Sequence, residues 1–84
     1  PKEKVLVVIV GDIAKAYPFS ELEKVGTPLE DKIGEQEVLI TFGDGNYVTA
    51  TDKSGQPIKS FVTYWFAWYT FRPDTAVFDA NSPS

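Results

Sequence analysis

Residues 61 to 71 read Phe-Val-Thr-Tyr-Trp-Phe-Ala-Trp-Tyr-Thr-Phe. Seven of these eleven positions are aromatic, and both tryptophans of the chain fall among them. A buried aromatic side chain removes about 150–250 Å² from water, so no other segment of this length here carries as much apolar surface. In a chain of 84 residues, which buries roughly two-thirds or less of its unfolded surface, the run is a core anchor, a surface offered to something else, or both.

Periodicity does not decide its secondary structure, because apolar residues fall on every face of either a helix or a strand. Intrinsic preference for Phe, Val, Thr, Tyr and Trp favours a strand; length favours a helix, and a helix is the expectation. Phe61, Trp65, Trp68 and Phe71 or Arg72 then form one stripe at three- and four-residue spacing, and Val62, Phe66 and Tyr69 a second. Pro73 ends it by restricting Arg72.

The rest of the chain reads mainly as short strands and turns. Lys4 to Val10 is β-branched and apolar on both faces, a buried strand. Gly11-Asp12 suits a two-residue hairpin turn, Ile13 to Tyr17 returns, and Pro18 stops the ladder. Ser20 with Glu23 reads as a capping box opening a helix of one to two turns, with Gly26 as its left-handed terminator. Leu29 to Ile33 and Glu37 to Phe42 read as strands separated by Gly34-Glu35. Gly43 to Asn46 is a hairpin signal with Tyr47 to Thr51 returning; a turn at Asp44-Gly45 sets Phe42 opposite Tyr47. Asp52 to Gly55 is a further turn, Gln56 to Ile58 an edge or loop segment, and Ala76 to Phe78 a last short strand. The expected architecture is α+β: a small, mostly antiparallel β-sheet or partly open barrel, with one short helix and one aromatic-rich C-terminal helix. A single domain spans residues 1–80, and residues 81–84 form a frayed tail.

Composition narrows function more by exclusion than by assignment. Eight basic residues against twelve acidic ones give a net charge of −4. No basic block is present, which argues against nucleic acid and against anionic membrane surfaces. No apolar stretch reaches the roughly 20 residues of a membrane-spanning helix. Cysteine and histidine are both absent, so a disulfide, a thiolate nucleophile and the usual neutral-pH acid–base group are missing. Methionine is also absent, and the expectation is a processed or excised piece beginning at Pro1. No phosphate-binding loop and no calcium-binding loop is present, and Ser20 and Ser54 have no histidine to activate them. No cofactor or metal is expected. Paired-carboxylate hydrolysis would draw on Asp12, Asp31, Asp44 and Asp74, but nothing in the sequence pairs them.

Three segments together carry a resemblance. Lys15-Ala16-Tyr17-Pro18 follows the first hairpin, Asp31-x-x-Gly34 precedes a strand, and Trp65-x-x-Trp68-x-x-Phe71-x-Pro73-Asp74-Thr75 closes the chain. The pattern resembles a family of uncharacterised, mostly exported bacterial and archaeal proteins, a domain of unknown function. Its members carry a KAYP-type motif and a C-terminal W-x-x-W-x-x-[HF]-x-P-[DN]-T motif. The resemblance covers roughly the first half and the last quarter of the chain. Typical members are longer and carry a cysteine-containing segment where this chain has the hairpin at Gly43 to Asn46. The resemblance implies an exported location and a compact β-rich fold with one aromatic helix; it implies no activity.

The candidate binding residues are Tyr17, Tyr64, Trp65, Phe66, Trp68, Tyr69 and Asp74, and no catalytic or metal-binding residue is expected. A helix apolar all round exceeds what so small a domain covers, so part of Tyr64, Phe66, Tyr69 and Thr70 is expected in solvent or against another chain. Trp65 and Trp68 are the residues expected to lead the core-facing stripes. Tyr17-Pro18 reads either as part of a pocket or as a core tyrosine with a strand stop, and Asp74-Thr75 as a ligand contact or a turn. The leading functional expectation is a non-catalytic binding or structural module, self-associating as a homo-oligomer or docking a protein partner through the aromatic helix and a β edge. The alternatives are a small-ligand or carbohydrate-binding domain using Trp65, Trp68, Tyr17 or Tyr69, and an aspartate-based hydrolase.

Overall fold

The computed structural model describes residues 3–43 and 47–80. Nine elements follow in order: β1 (Lys4–Val10), β2 (Ile13–Pro18), α1 (Phe19–Lys24), β3 (Leu29–Ile33), β4 (Gln36–Phe42), β5 (Val48–Thr51), β6 (Ser60–Tyr64), α2 (Trp65–Phe71) and β7 (Ala76–Val77). The strands form two open sheets, one ordered β6-β1-β2-β7 and the other β3-β4-β5. All pairings are antiparallel except β2 with β7. The α+β expectation therefore holds, in its open-sheet rather than its barrel form.

β1 is central because both of its faces are buried. Alternation along a strand sends Leu6 and Val8 to one side, where they meet Tyr17, Phe19, Leu22, Ile33, Val38, Ile40 and Ala50 between the sheets. Val5 and Val7 go to the other side with Ala14 and Ala16, beneath Trp65 and Trp68. α1 closes one end of the inter-sheet core with Phe19 and Leu22, and α2 lies over the outer face of the four-stranded sheet.

The first hairpin turns as its sequence indicates, with Val10 opposite Ile13 and Gly11 at φ +58°. Pro18 is the last residue of β2. Gly34 makes the corresponding turn between β3 and β4 at φ +61°. In the Asp52 turn, the Asp52 carboxylate accepts hydrogen bonds from the Ser54 and Gln56 backbone amides and from the Ser54 hydroxyl, at 2.8 to 2.9 Å.

Four local expectations are corrected. The aromatic run is not one helix: Ser60–Tyr64 is a strand and only Trp65–Phe71 is helical. β1 offers an open ladder edge, and the strand-forming stretch Phe61-Val62-Thr63-Tyr64 fills it. The Trp65 N–H takes the last ladder bond, to the Glu3 carbonyl at 2.8 Å, and the chain then coils so that both indoles cover the sheet. The capping box does not form. Pro18 occupies the N-cap, and the Ser20 hydroxyl instead donates to the Glu3 carboxylate at 2.9 Å. α1 ends through an extended Val25, not through a left-handed Gly26. Finally, Phe42 lies opposite Val48, not Tyr47, and its ring packs edge-on against Phe19 at 5.0 Å. The expected turn at Asp44-Gly45 and the tail at 81–84 lie outside the described residues.

Gly34 and Gly26 separate conformational need from mere occurrence. A Cβ on Gly34 would sit at positive φ and 3.0 Å from the Ile13 side chain, whereas one on Gly26 meets nothing within 4 Å. Gly34→Ala is expected to cost about 1–2 kcal/mol of unfolding free energy, and Gly26→Ala to be near neutral, measured by urea denaturation.

Candidate functional site

The motif residues of the first half converge on one carboxylate. Lys15 and Tyr17 share a face of β2, two residues apart. They reach Asp31, which occupies the inward register of β3 between Leu29 and Ile33. The Lys15 ammonium and the Tyr17 hydroxyl each donate to Asp31 Oδ2 at 2.7 Å. The Asp31 side chain is only 4 % exposed. The Phe78 ring lies tilted against Tyr17 at 5.4 Å, and the Lys15 ammonium lies within 6 Å of both rings. Burial by itself would raise the Asp31 carboxyl, but hydrogen bonds from Lys15, Tyr17 and the Lys32 backbone outweigh it and hold the group below its ordinary value. Burial first, and then the bond to Asp31, drive the Tyr17 phenol far upward. Tyr17 is wholly buried and its hydroxyl is committed, so it is a core residue and presents nothing to a ligand.

The motif residues of the C-terminal quarter close a second, local lock. The Trp68 Nε1–H donates to the Thr75 hydroxyl at 2.7 Å, and that hydroxyl donates to the Arg72 carbonyl at 2.7 Å. Asp74 is exposed and pairs with Arg72 at 3.2 Å, so Asp74-Thr75 forms a turn with its polar groups largely engaged. This lock pins the Trp68 ring to the sheet. Neither tryptophan is fully buried, and no residue of α2 is.

What α2 and β6 leave outside is an aromatic surface. Phe66 is 59 % exposed, Tyr69 51 % and Phe71 72 %, with Phe61 and Tyr64 at 38 and 40 % beside them. Ring contacts of 5.2 to 6.1 Å join Phe61 to Trp68, Trp68 to Phe71, Trp65 to Tyr69 and Tyr64 to Phe66. Of the sequence candidates, Tyr64, Trp65, Phe66, Trp68 and Tyr69 are thus brought together; Tyr17 and Asp74 are not part of this surface. Phe61 and Phe71 join it without having been singled out as binding residues, while Val62, paired with Leu6, faces the other side of the sheet. The signal for Phe61 and Val62 was strand propensity beside an apolar partner strand, which places them at a sheet edge.

Trp65 also borders an open groove of about 570 Å³ whose other walls include Glu3, Glu21, Phe78 and Asp79. Glu3 is engaged by Ser20, and Glu21 by Lys24 and the Ala80 amide. Among the described residues, every carboxylate with a resolved shift is held below its ordinary value. An acid–base carboxylate pair needs one member pushed upward, so the aspartate-hydrolase reading draws no support from these groups. No helix among the described residues is long and apolar enough to cross a membrane. Comparison of the chain with protein-family models, curated proteins and solved structures gives no match.

Removing one partner of the clamp leaves a buried charge uncompensated. Asp31→Asn is expected to cost about 3 kcal/mol, and Tyr17→Phe about 1–2 kcal/mol, read from urea unfolding curves. The pH response follows from the depressed Asp31 carboxyl. Its stabilisation is fully present above the unfolded value, about 3.9, and is lost as pH falls through the lower folded value. Unfolding free energy measured from pH 6 downward should therefore fall more steeply below about pH 4 in the native protein than in Asp31→Asn.

Proposed function

We propose that this chain is a non-catalytic interaction module whose working surface is the exposed aromatic face of α2 and the adjoining β6. The observation that carries this reading is that Phe66, Tyr69 and Phe71 are each more than half exposed while their helix is held in place by Trp65 and Trp68. With about 150–250 Å² per aromatic side chain, the exposed fractions of this surface amount to roughly 500 Å². Contiguous apolar patches of that size on soluble proteins commonly mark contact sites. The aromatics are the residue types that dominate binding energy at protein interfaces. An exported location is part of the proposal, supported by the motif resemblance of the Lys15-Ala16-Tyr17-Pro18 and Trp65 to Thr75 segments.

The triple variant Phe66→Ser, Tyr69→Ser, Phe71→Ser tests this reading. Side chains that serve docking can be removed without loss of fold, so unfolding free energy should change by less than about 1 kcal/mol, while binding of a hydrophobic-surface dye falls. Loss of cooperative unfolding would assign these residues to folding instead.

A second reading, a small-ligand or carbohydrate site, is favoured by the groove beside Trp65, whose volume lies in the range of ligand pockets and whose wall pairs an indole with carboxylates. Titration of a panel of sugars and small metabolites should then shift Trp65 fluorescence, with the shift abolished in Trp65→Leu. A panel that leaves the native spectrum unchanged removes the reading.

A further inference from the structure

We propose that the partner of this surface is a second copy of the same chain, joined by antiparallel pairing of β6 with its counterpart across a two-fold axis at Val62. This rests on the interaction-module reading above and names its occupant. The hydrogen-bond register of β6 supplies the first argument. Lys59 accepts from the Ile9 amide at 3.0 Å, and the Trp65 amide donates to Glu3 at 2.8 Å, in the same register that pairs Val5 with Thr63 and Val7 with Phe61. Hydrogen-bonding direction alternates along an antiparallel strand. Residues 59, 61, 63 and 65 therefore turn their backbone groups toward β1, and Ser60, Val62 and Tyr64 turn theirs away from it. These three are symmetric about Val62. Placing Val62 opposite Val62 of the second copy sets Ser60 opposite Tyr64, and three outward residues per copy, each donating and accepting once, give six inter-chain bonds.

The side chains fit the same axis. Phe61 of one copy falls opposite Thr63 of the other, an aromatic–β-branched cross-strand pair, and Val62 meets Val62 on the opposite face. No charged residue lies within Ser60–Tyr64, so no like charge meets itself at the axis despite the net charge of −4. Lys59, which forms no ion pair among the described residues, comes opposite Trp65 of the second copy and so meets no like charge directly across. Pairing at this edge covers Phe61, Val62 and Tyr64, the part of the exposed apolar surface that lies on β6 itself.

The other sheet edges are protected, and among the described residues β6 is not. β3 carries Glu30 and Lys32 outward, β5 is bridged by Pro57 and capped by a bond from Ile58 to Ala50, and β7 is two residues long. Charge, proline and shortness are the usual devices against edge pairing.

Sedimentation velocity and amide hydrogen exchange test the proposal at roughly 100 µM, where any micromolar dimer is populated. The native chain should sediment as a dimer, with the Ser60, Val62 and Tyr64 amides protected in a concentration-dependent way. Val62→Lys and Val62→Glu should each weaken the dimer by about 100-fold or more, since like charges juxtaposed across an interface cost several kcal/mol. An equimolar mixture of the two should restore a heterodimer. A native monomer overturns self-pairing; an unchanged stability of the triple serine variant would then leave the general docking reading standing, and a lost fold would remove both. A dimer indifferent to Val62 charge, or no heterodimer on mixing, overturns the β6 axis. Should either Val62 variant fail to fold, the concentration dependence of the native amides decides alone.

Discussion

The Asp31 carboxylate is the polar joint between the two sheets. Two strands that are not hydrogen-bonded neighbours, β2 and β3, are held at a fixed separation by Lys15 and Tyr17 converging on a single oxygen at 2.7 Å. The apolar residues around it would pack in more than one register, since hydrophobic contact is non-directional. The charged, hydrogen-bonded joint is directional, and it admits one relative placement. That placement puts Ile33, Val38 and Ile40 under Leu6 and Val8, and it lets Ile13 pass within close contact of the Gly34 turn. Buried ion pairs of this sort contribute less net stability than their geometry suggests; what this one supplies is alignment.

Alignment of the inner core leaves the outer face of the four-stranded sheet to be covered by very little chain. Ala14 and Ala16 are small, so indoles can lie close to the backbone of β2. Trp65 and Trp68, three residues apart on a seven-residue helix, do this. A helix of that length has no independent stability, no side-chain cap and no acidic first turn. It is held from both ends, by the Trp65–Glu3 ladder bond and by the Trp68–Thr75–Arg72 lock. The outward aromatics add ring contacts to both indoles, Tyr69 to Trp65 and Phe61 and Phe71 to Trp68, while much of their own surface stays in solvent.

Much of this architecture was legible in the sequence, and the parts that were not have physical causes. The strands around Gly11-Asp12 and Gly34-Glu35 announced themselves through alternation and turn residues. The split of the aromatic run did not, because propensity and length pointed in opposite directions and the deciding factor was the open edge of β1, a tertiary fact. Ser20 and Glu23 met the spacing of a capping box, but Pro18 took the N-cap and Glu3, distant in sequence, took the Ser20 hydroxyl. Asp31 stands among the carboxylates that nothing in the sequence pairs, although Leu29, Asp31 and Ile33 alternate onto one face. An acid at a core-facing strand position, with Lys15 and Tyr17 likewise two apart on another strand, was the available signal for the clamp. The exposed surface was foreseeable in kind, since a small domain has too little interior for every aromatic of the run. Which residues it would include depended on where the strand stopped and the helix began.

The division of the run at Tyr64–Trp65 connects stability to interaction. Had the segment been one helix, β1 would have kept a bare edge of Val5 and Val7 backbone, and the aromatics would have surrounded a helix that nothing could cover. As a strand followed by a short helix, the first half completes the ladder on β1 and, among the described residues, moves the sheet's outer edge one strand outward, to β6. The second half then lays its excess rings beside that edge. An unpaired backbone donor loses little while water reaches it, but apolar side chains flanking it limit that access, and a desolvated, unmet donor is costly. Bare edge and aromatic flank therefore favour the same resolution. A strand that satisfies the outward groups of Ser60, Val62 and Tyr64 also covers Phe61 and Val62, so hydrogen bonding and apolar burial would be gained in a single contact.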